Sequence, residues 1–199
     1  MSTPAALATA LIRKQGPARS SELAAAGVAR SQLARLAAAG ALVRIARGLY
    51  ALPERMPDAN EALIVVARRT PKANFCLLTA LRFHELTSQA PFEVWIAIGP
   101  KDRIPRLDWP TLRVMRFSGE ALVSGIETHV VDGVAIRVTG IARTVADCFK
   151  YRNKIGLDVA LEALRDAWRQ KRVSMDELWR AAELCRVSNV MRPYLESLV

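Results

Sequence analysis

Three short apolar runs at helical spacing open the chain, and a glycine follows each of them. A first helix is predicted from Pro4, with Thr3 as its N-cap. A shorter helix follows in SELAAAG, and a third begins near Arg30 in RSQLARLAAAG. Leu33 and Leu36 lie three positions apart and predict one apolar face on the third helix.

The pattern changes to alternation at residues 42–52, where the strands LVRI and LYAL flank a turn at residues 46–48. Gly48 permits the positive φ that such a turn needs. Three helices followed by a hairpin are the order of a winged helix-turn-helix. We therefore predict a winged helix-turn-helix DNA-binding domain over residues 1–53.

Residues 54–199 combine both periodicities. The pattern predicts helices that begin at Asp58, cover 75–86, follow Thr139 as a cap and fill the C-terminal third. It predicts strands at 92–98 and 112–117, and a hairpin over 127–138 that turns at Asp132-Gly133. The expected fold class is α+β: an N-terminal winged helix-turn-helix, then a mixed α+β domain with a small sheet of about four strands and C-terminal helices.

Positive charge is concentrated in the N-terminal quarter of the chain. The 199 residues carry a formal net charge of +10. Residues 1–52 contribute +6 of this, because they hold seven basic side chains and a single acid, Glu22. A surface made basic only for solubility would spread its charges more evenly. The distribution indicates a polyanionic partner, and double-stranded DNA fits the predicted domain.

The third helix carries the candidate base-reading residues. In a helix-turn-helix the N-terminal part of this helix enters the major groove. Since Leu33 and Leu36 face the core, the opposite side presents Arg30, Ser31, Gln32 and Arg35. Glutamine pairs with adenine, and arginine pairs with guanine or phosphate.

Two arginines of the hairpin are candidate contacts to phosphate or to the minor groove. Alternation leaves Arg44 on the outer face, because the apolar residues around it take the inner one. Arg47 lies at the tip, next to Gly48. A hairpin that only covers the helices is the alternative interpretation.

Neither a catalytic motif nor a metal or cofactor motif is present in the sequence. GxGxxG, P-loop and HExxH patterns are missing, and His84 and His129 have no ligand spacing. We therefore expect no enzyme activity, no cofactor and no metal. A carboxylate–lysine nuclease is the enzymatic alternative, but Glu93 opens a strand that has Trp95 where the lysine should be.

The chain is expected to be cytoplasmic and to have no membrane partner. Its apolar runs fall far short of the roughly 20 residues that span a bilayer. Arg13 and Lys14 follow the apolar stretch of the N-terminus, whereas a signal peptide has its charges first. The three cysteines form no CxxC pair, which favours reduced, buried thiols.

The segment SELAAAGVARSQLARLAAAGALVRIARGLYALP resembles the N-terminal domain of the AbiEi-type antitoxins of type IV toxin–antitoxin systems, with Arg47 to Tyr50 as the closest match. The segments LLTALRFHEL (77–86) and VTGIARTVADCF (138–149) are also similar to this family. The resemblance implies a transcriptional repressor of its own promoter. It also implies an antitoxin that counters a nucleotidyltransferase-like toxin, with or without direct contact.

Three features of the sequence also have other interpretations. A winged-helix transcription factor with a ligand-sensing C-terminal domain and no toxin partner fits the same pattern. Arg143 and Asp147 of the family-like segment lie four apart on one helix, so a local ion pair explains them as well as a toxin contact does. Trp109, in the arginine-flanked loop KDRIPRLDWP, is a candidate for partner or nucleic-acid contact, although a solvated loop is the simpler interpretation.

Overall fold

Two compact units make up the fold in a computed structural model, which describes residues 3–54, 60–89 and 91–198. The first unit contains the described residues up to Lys72, together with Pro105–Pro110 and His129–Ile136. The second contains Ala73–Ile104, Thr111–Thr128 and the chain from Arg137 onward. The domain boundary expected at residues 53 and 54 stays a prediction. Asp58, the expected start of a helix, lies outside the described residues.

Four helices and three strands form the first part of the chain over the described residues 3–54 and 60–72. They are α1 (Pro4–Gln15), β1 (Ala18–Arg19), α2 (Ser20–Ala25), α3 (Arg30–Ala38), β2 (Val43–Ala46), β3 (Leu49–Ala51) and α4 (Glu61–Arg69). The three helices and the hairpin are therefore present as predicted. Thr3 caps α1, because its hydroxyl accepts a hydrogen bond from the Ala6 N–H at 3.2 Å. β1 was not predicted; it pairs antiparallel with β3, so the sheet has the order β1-β3-β2.

One apolar cluster holds the winged helix-turn-helix together. Leu23 from α2 and Leu33 from α3 are buried in it, and Val28 fills the turn between them. Gly27 makes this turn possible with a φ of +92°, which a residue with a side chain rarely adopts. Tyr50 of the hairpin packs against the same cluster. The third helix and the wing are thus fixed to a common core.

The remaining described residues add five strands and seven helices. They are β4 (Asn74–Phe75), α5 (Leu77–Phe83), β5 (Val94–Ile98), β6 (Leu112–Arg116), α6 (Glu120–Val123), β7 (Ile126–Val131), β8 (Val134–Thr139), α7 (Ile141–Lys150), α8 (Arg152–Ile155), α9 (Leu157–Arg169), α10 (Met175–Cys185) and α11 (Ser188–Glu196). The strands form one sheet in the order β6-β5-β4-β8-β7. β4 pairs antiparallel with β5 and parallel with β8, and β5 runs parallel to β6.

The α+β class is confirmed, with two local corrections. The helix predicted over 75–86 is shorter, because Phe75 lies in β4 at the centre of the sheet and raises the strand number from about four to five. Thr139 does not cap α7: it ends β8, and Gly140 is the N-cap. The turn at Asp132 and Gly133 is confirmed, with φ values of +47° and +73°.

α7 is the central helix of the second unit, where it packs against α5, α9, α10 and α11. Seven consecutive residues from Arg143 to Phe149 are buried, so every side of this helical segment is covered. Three of them are polar or charged: Arg143, Thr144 and Asp147. Buried polar groups cost free energy unless they find partners, so their contacts decide how the helix is held.

Arg143 and Asp147 form a buried ion pair with a complete set of partners. The distance from Arg143 Nε to Asp147 Oδ2 is 3.0 Å, and the two side chains are only 3% and 1% exposed. The two terminal nitrogens of Arg143 donate to the carbonyl oxygens of Ser124 and Ala121, each at 2.9 Å. The Cys185 thiol donates to the second oxygen of Asp147 at 3.2 Å. The pair therefore ties α6 and α10 to α7.

The three cysteines are free and buried. Burial raises the pKa of the Cys76 and Cys148 thiols well above the ordinary value, and the nearby Asp147 carboxylate adds to it. Burial also raises the pKa of Cys185 to about 12. The neutral thiol is a poor nucleophile, so these cysteines serve packing and, for Cys185, the hydrogen bond to Asp147.

Replacing Asp147 with alanine is expected to lower the free energy of unfolding by about 3–5 kcal/mol, because a buried guanidinium loses its counter-charge. Urea denaturation followed by circular dichroism measures the loss. Asp166→Ala is the control: it removes the carboxylate of the Asp166–Arg169 pair, whose arginine is 76% exposed, and should cost at most about 1 kcal/mol. Equal losses in the two variants would contradict the assigned role of the buried pair.

Candidate nucleic-acid interface

The outer face of α3 presents the four candidate base-reading residues in its first two turns. Arg30, Ser31 and Arg35 are exposed, and Gln32 is half-buried. Leu33 is 1% exposed, which fixes the opposite face of the helix in the core. Because Ser31 and Arg35 are four positions apart, they lie on the same side, one turn from each other. Arg30, Ser31 and Arg35 are thus exposed on the face opposite Leu33, as expected, while their contact with DNA stays a prediction.

Gln32 has a structural role that the sequence did not reveal. Its Oε1 accepts a hydrogen bond from the Ala29 N–H at 2.9 Å, which satisfies one of the unpaired donors at the start of α3. A bidentate contact to adenine needs the same oxygen as acceptor and the amide nitrogen as donor. The oxygen of Gln32 is therefore used by the cap, and its amide nitrogen is the donor that remains for another partner.

Arg44 is exposed in β2, although the strand does not alternate as predicted. The register shifts between Arg44 and Ala46, so that Ile45 is an extra residue in a bulge. Val43 is 45% exposed, whereas Leu49 is fully buried. The expectation that these apolar residues occupy one inner face is wrong for Val43. Arg44 lies opposite Tyr50, and its Nε donates to the Ala46 carbonyl at a long distance of 3.4 Å.

Arg47 lies at the tip of the wing, where Gly48 has a φ of +68°. The guanidinium of Arg69, at the end of α4, donates to the backbone carbonyl of Arg47. This bond holds the wing tip through the main chain and leaves the Arg47 side chain exposed.

A second arginine of α4 binds the helices behind the wing. Arg68 donates to the backbone carbonyl of Gln15 in α1 and lies 3.6 Å from the Glu22 carboxylate of α2. Glu22 also pairs with Arg19 at 3.4 Å and accepts from the Arg19 N–H at 2.7 Å. Burial lowers the pKa of Arg68 from its ordinary value, and Glu22 opposes this effect. These contacts could not be predicted from the sequence, in which two adjacent arginines at the end of an apolar helix are the available signal.

The positive charge of the exposed arginines on α3 and the wing is available to a partner. Glu22 is the only acid among residues 1–52, and its partners are Arg19 and Arg68. Within the described part of the chain, no ion pair forms with Arg30, Arg35 or Arg47. A set of exposed guanidinium groups without internal counter-charges is suited to phosphate and to guanine.

The loop that contains Trp109 belongs to the same compact unit as the wing. Arg106 to Trp109 line a cavity of about 460 Å³ together with Arg47 and Arg69. Trp109 is 49% exposed. A loop that is distant in sequence therefore lies beside the wing tip.

The described residues were also compared with the geometry of metal sites and of membrane-spanning helices. Across residues 3–54, 60–89 and 91–198, no group of three or more His, Cys, Asp or Glu side chains is placed to hold a metal ion. Of the helices described, none is long and apolar enough to cross a membrane.

Comparison with known proteins bears on both the N-terminal segment and the fold. Residues 6–53 match the model of a family described as "Transcriptional regulator, AbiEi antitoxin", so the resemblance that the sequence indicated is confirmed over this segment. The similarity expected for 77–86 and 138–149 lies outside the match and stays a prediction. No protein with curated annotation matches the chain.

Among solved structures, the chain is similar to the crystal structure of the RV2827C protein from Mycobacterium tuberculosis. The TM-score is 0.59 at 16% identity, over 92% of this chain and 72% of that chain. At this identity the similarity concerns the fold alone.

Gln32→Ala is expected to lower the free energy of unfolding by about 0.5–1.5 kcal/mol, because the Ala29 N–H loses its acceptor. Gln32→Glu replaces the amide oxygen with a carboxylate oxygen at the same place and should preserve the free energy of unfolding. Thermal unfolding of both variants measures the difference, with Ser31→Ala as the neighbouring control on the exposed face. Equal stability of the Ala and Glu variants would show that the cap contributes nothing.

Proposed function

Because residues 6–53 match the AbiEi antitoxin transcriptional regulators, we propose that this protein binds double-stranded DNA at its own promoter, represses that promoter, and counters a nucleotidyltransferase-like toxin. The observation that carries the DNA-binding part is the outer face of α3. It presents Arg30, Ser31 and Arg35 to solvent, next to a half-buried Gln32, on a helix whose other face is fixed in the core.

In this proposal the N-terminal turns of α3 enter the major groove. Arg35 contacts a guanine or a phosphate, and Gln32 donates its amide to a base edge. Arg30 lies at the first position of the helix, where the main-chain N–H groups also favour a phosphate. Arg44 and Arg47 hold the backbone of the adjacent segment, so that α3 stays in register with the bases.

In the proposed function the protein acts by binding DNA and catalyses no reaction. The strand that a carboxylate–lysine nuclease would need is built differently here. Trp95 is only 7% exposed, and the Glu93 carboxylate accepts from Arg113 Nε at 3.0 Å. A carboxylate paired with arginine beside a buried indole is a poor site for Mg²⁺. As a DNA-binding regulator, the protein is proposed to act in the cytoplasm.

The antitoxin activity is proposed to reside in the second unit. The Arg143–Asp147 pattern of the family-like segment is buried there. The burial supports a role for these two residues in folding, so we propose that other residues of the unit carry the toxin-countering surface. Contact with the toxin itself is not required by the proposal.

The alternative of a ligand-sensing regulator without a toxin rests on one charged cavity. The second unit has a cavity of about 360 Å³, a volume within the range of small-molecule sites. Its lining is rich in charged side chains, which include Arg116, Glu120, Lys150, Glu183 and Arg186. A small molecule that releases the protein from DNA would support this alternative.

Arg35→Ala is expected to weaken binding to the DNA upstream of its own gene by about 1–3 kcal/mol and to relax the preference at one base position. The loss follows from the removal of a base-edge contact. Fluorescence anisotropy with a panel of single-base substitutions measures both effects. Arg165→Ala, which removes an exposed arginine of α9, is the charge-matched control. Specific binding by Arg35→Ala at the strength of this control would remove α3 from the interface.

Arg47→Ala is expected to weaken binding to all DNA sequences alike, since a phosphate contact carries no base information. The slope of log K against log salt concentration should fall by about 0.9 for the lost contact. Titrations at several salt concentrations measure the slope. A slope equal to that of the wild type would place Arg47 outside the interface.

The antitoxin role predicts that co-expression of the full chain restores growth to cells that produce the product of the neighbouring gene. A double variant, Arg35→Ala with Arg47→Ala, is expected to rescue equally well when both genes are placed under external promoters. Colony counts measure the rescue. A harmless neighbouring gene, or a toxic one that the full chain fails to counter, would refute the antitoxin role and favour the ligand-sensing alternative.

A further inference from the structure

The cavity beside the wing combines positive charge, an exposed aromatic ring and an apolar floor. Ile45 and Val65 are among its apolar lining residues. Its charged lining residues are Arg47, Arg69 and Arg106, together with one acid, Asp108. Three cations against one anion make the cavity a positively charged site on the first unit.

The three arginines are not equally engaged. Arg69 uses one nitrogen to donate to the carbonyl of Arg47. Arg106 is exposed, and its guanidinium has no hydrogen bond or ion pair among the residues that the structure describes. An exposed guanidinium keeps its full hydration until a partner replaces the water, and phosphate oxygens are the partner that its planar donors fit best.

Trp109 is the second feature that points to a partner. Its side chain is 49% exposed, although most of the large aromatic side chains in this chain are buried or half-buried. Tryptophan combines a broad apolar face with one N–H donor. A deoxyribose–phosphate backbone offers both counterparts, a sugar face and anionic oxygens.

We propose that the loop Pro105–Pro110 is a second DNA-backbone contact, in which Arg106 and Trp109 extend the interface from the wing tip to the DNA that flanks the sequence read by α3. This inference rests on the proposed function, since it assumes that Arg47 lies on DNA. Arg47 lines the same cavity, so a duplex that reaches the wing tip passes the mouth of this cavity.

The lining favours a nucleic-acid backbone over a free nucleotide. The described lining residues include no Asn, Gln, Ser or Thr, the side chains that fix a base by paired donors and acceptors. Guanidinium groups and an indole recognise charge and sugar without distinguishing bases. The contact should therefore strengthen binding to every flanking sequence by the same factor.

The test uses the full chain and duplexes of two lengths, both containing the sequence bound by α3. The longer duplex extends about 8 base pairs beyond it on the wing side, which is roughly 27 Å at 3.4 Å per base pair. Arg106→Ala and Trp109→Ala are each expected to weaken binding to the longer duplex about tenfold, and Arg106→Ala should lower the salt slope by about 0.9. Both variants should bind the shorter duplex as the wild type does. Arg165→Ala again controls for charge, and Arg106→Lys and Trp109→Phe should recover part of the affinity.

The outcomes separate this inference from the proposed function. If the wild type binds specifically and Arg35→Ala is weakened, but Arg106→Ala and Trp109→Ala match Arg165→Ala on the longer duplex, the flank contact is overturned and the proposed function stands. If both variants lose affinity equally on the two duplexes, the loop acts through the fold and the inference is again wrong. If the wild type shows no preference for its upstream DNA, the proposed function and the flank contact are both refuted. Binding of a nucleoside monophosphate that is lost in both variants, with unchanged DNA affinity, would assign the cavity to a free nucleotide instead.

Discussion

The first unit depends on two adjacent arginines of α4, which donate hydrogen bonds to main-chain carbonyl oxygens of neighbouring elements. Arg68 donates to the main chain of α1, and Arg69 donates to the main chain of the wing tip. A unit with a net charge of +6 over residues 1–52 must hold itself together without neutralising its own surface. Carbonyl oxygens are suitable acceptors for this purpose, because they satisfy a guanidinium and carry no net charge. The single acid, Glu22, is used behind the recognition face, where it lies between Arg19 and Arg68.

The second unit uses the same chemistry in its interior. Arg143 also donates to two carbonyl oxygens, and it adds one carboxylate because the site is almost dry. In water-exposed positions such pairs contribute little, but in a buried position an unmatched charge is costly. The difference explains why one arginine needs a counter-ion and the arginines of the wing do not. It also accounts for Arg143 and Asp147 as residues that hold a helix in the fold.

Most of the helices could be predicted from the sequence, because caps and glycine stops are local signals. Thr3, Gly27 and the Asp132-Gly133 turn are examples in which the residue type dictates the backbone. The short strands β1 and β4 could not be predicted, since two residues have no periodicity and their pairing depends on distant partners. The bulge at Ile45 could not be predicted for the same reason, because an extra residue in one strand is recognised only when the register of the paired strand is known. For the candidate interface, the sequence identified the exposed face of α3, but it did not show that Gln32 also caps the helix or that Trp109 lies beside the wing.

The first unit is discontinuous along the chain, since it takes in Pro105–Pro110 and His129–Ile136 as well as the N-terminal segment. This has a consequence for synthesis on the ribosome. The unit cannot be complete until residue 136 has emerged, when about two thirds of the chain has been made, although domains commonly fold in order from the N-terminus. A nascent fragment that ends shortly after the wing would carry the recognition helix without the loop and hairpin that complete its unit. Until then the N-terminal segment would be held by the apolar cluster of α1, α2, α3 and the hairpin alone.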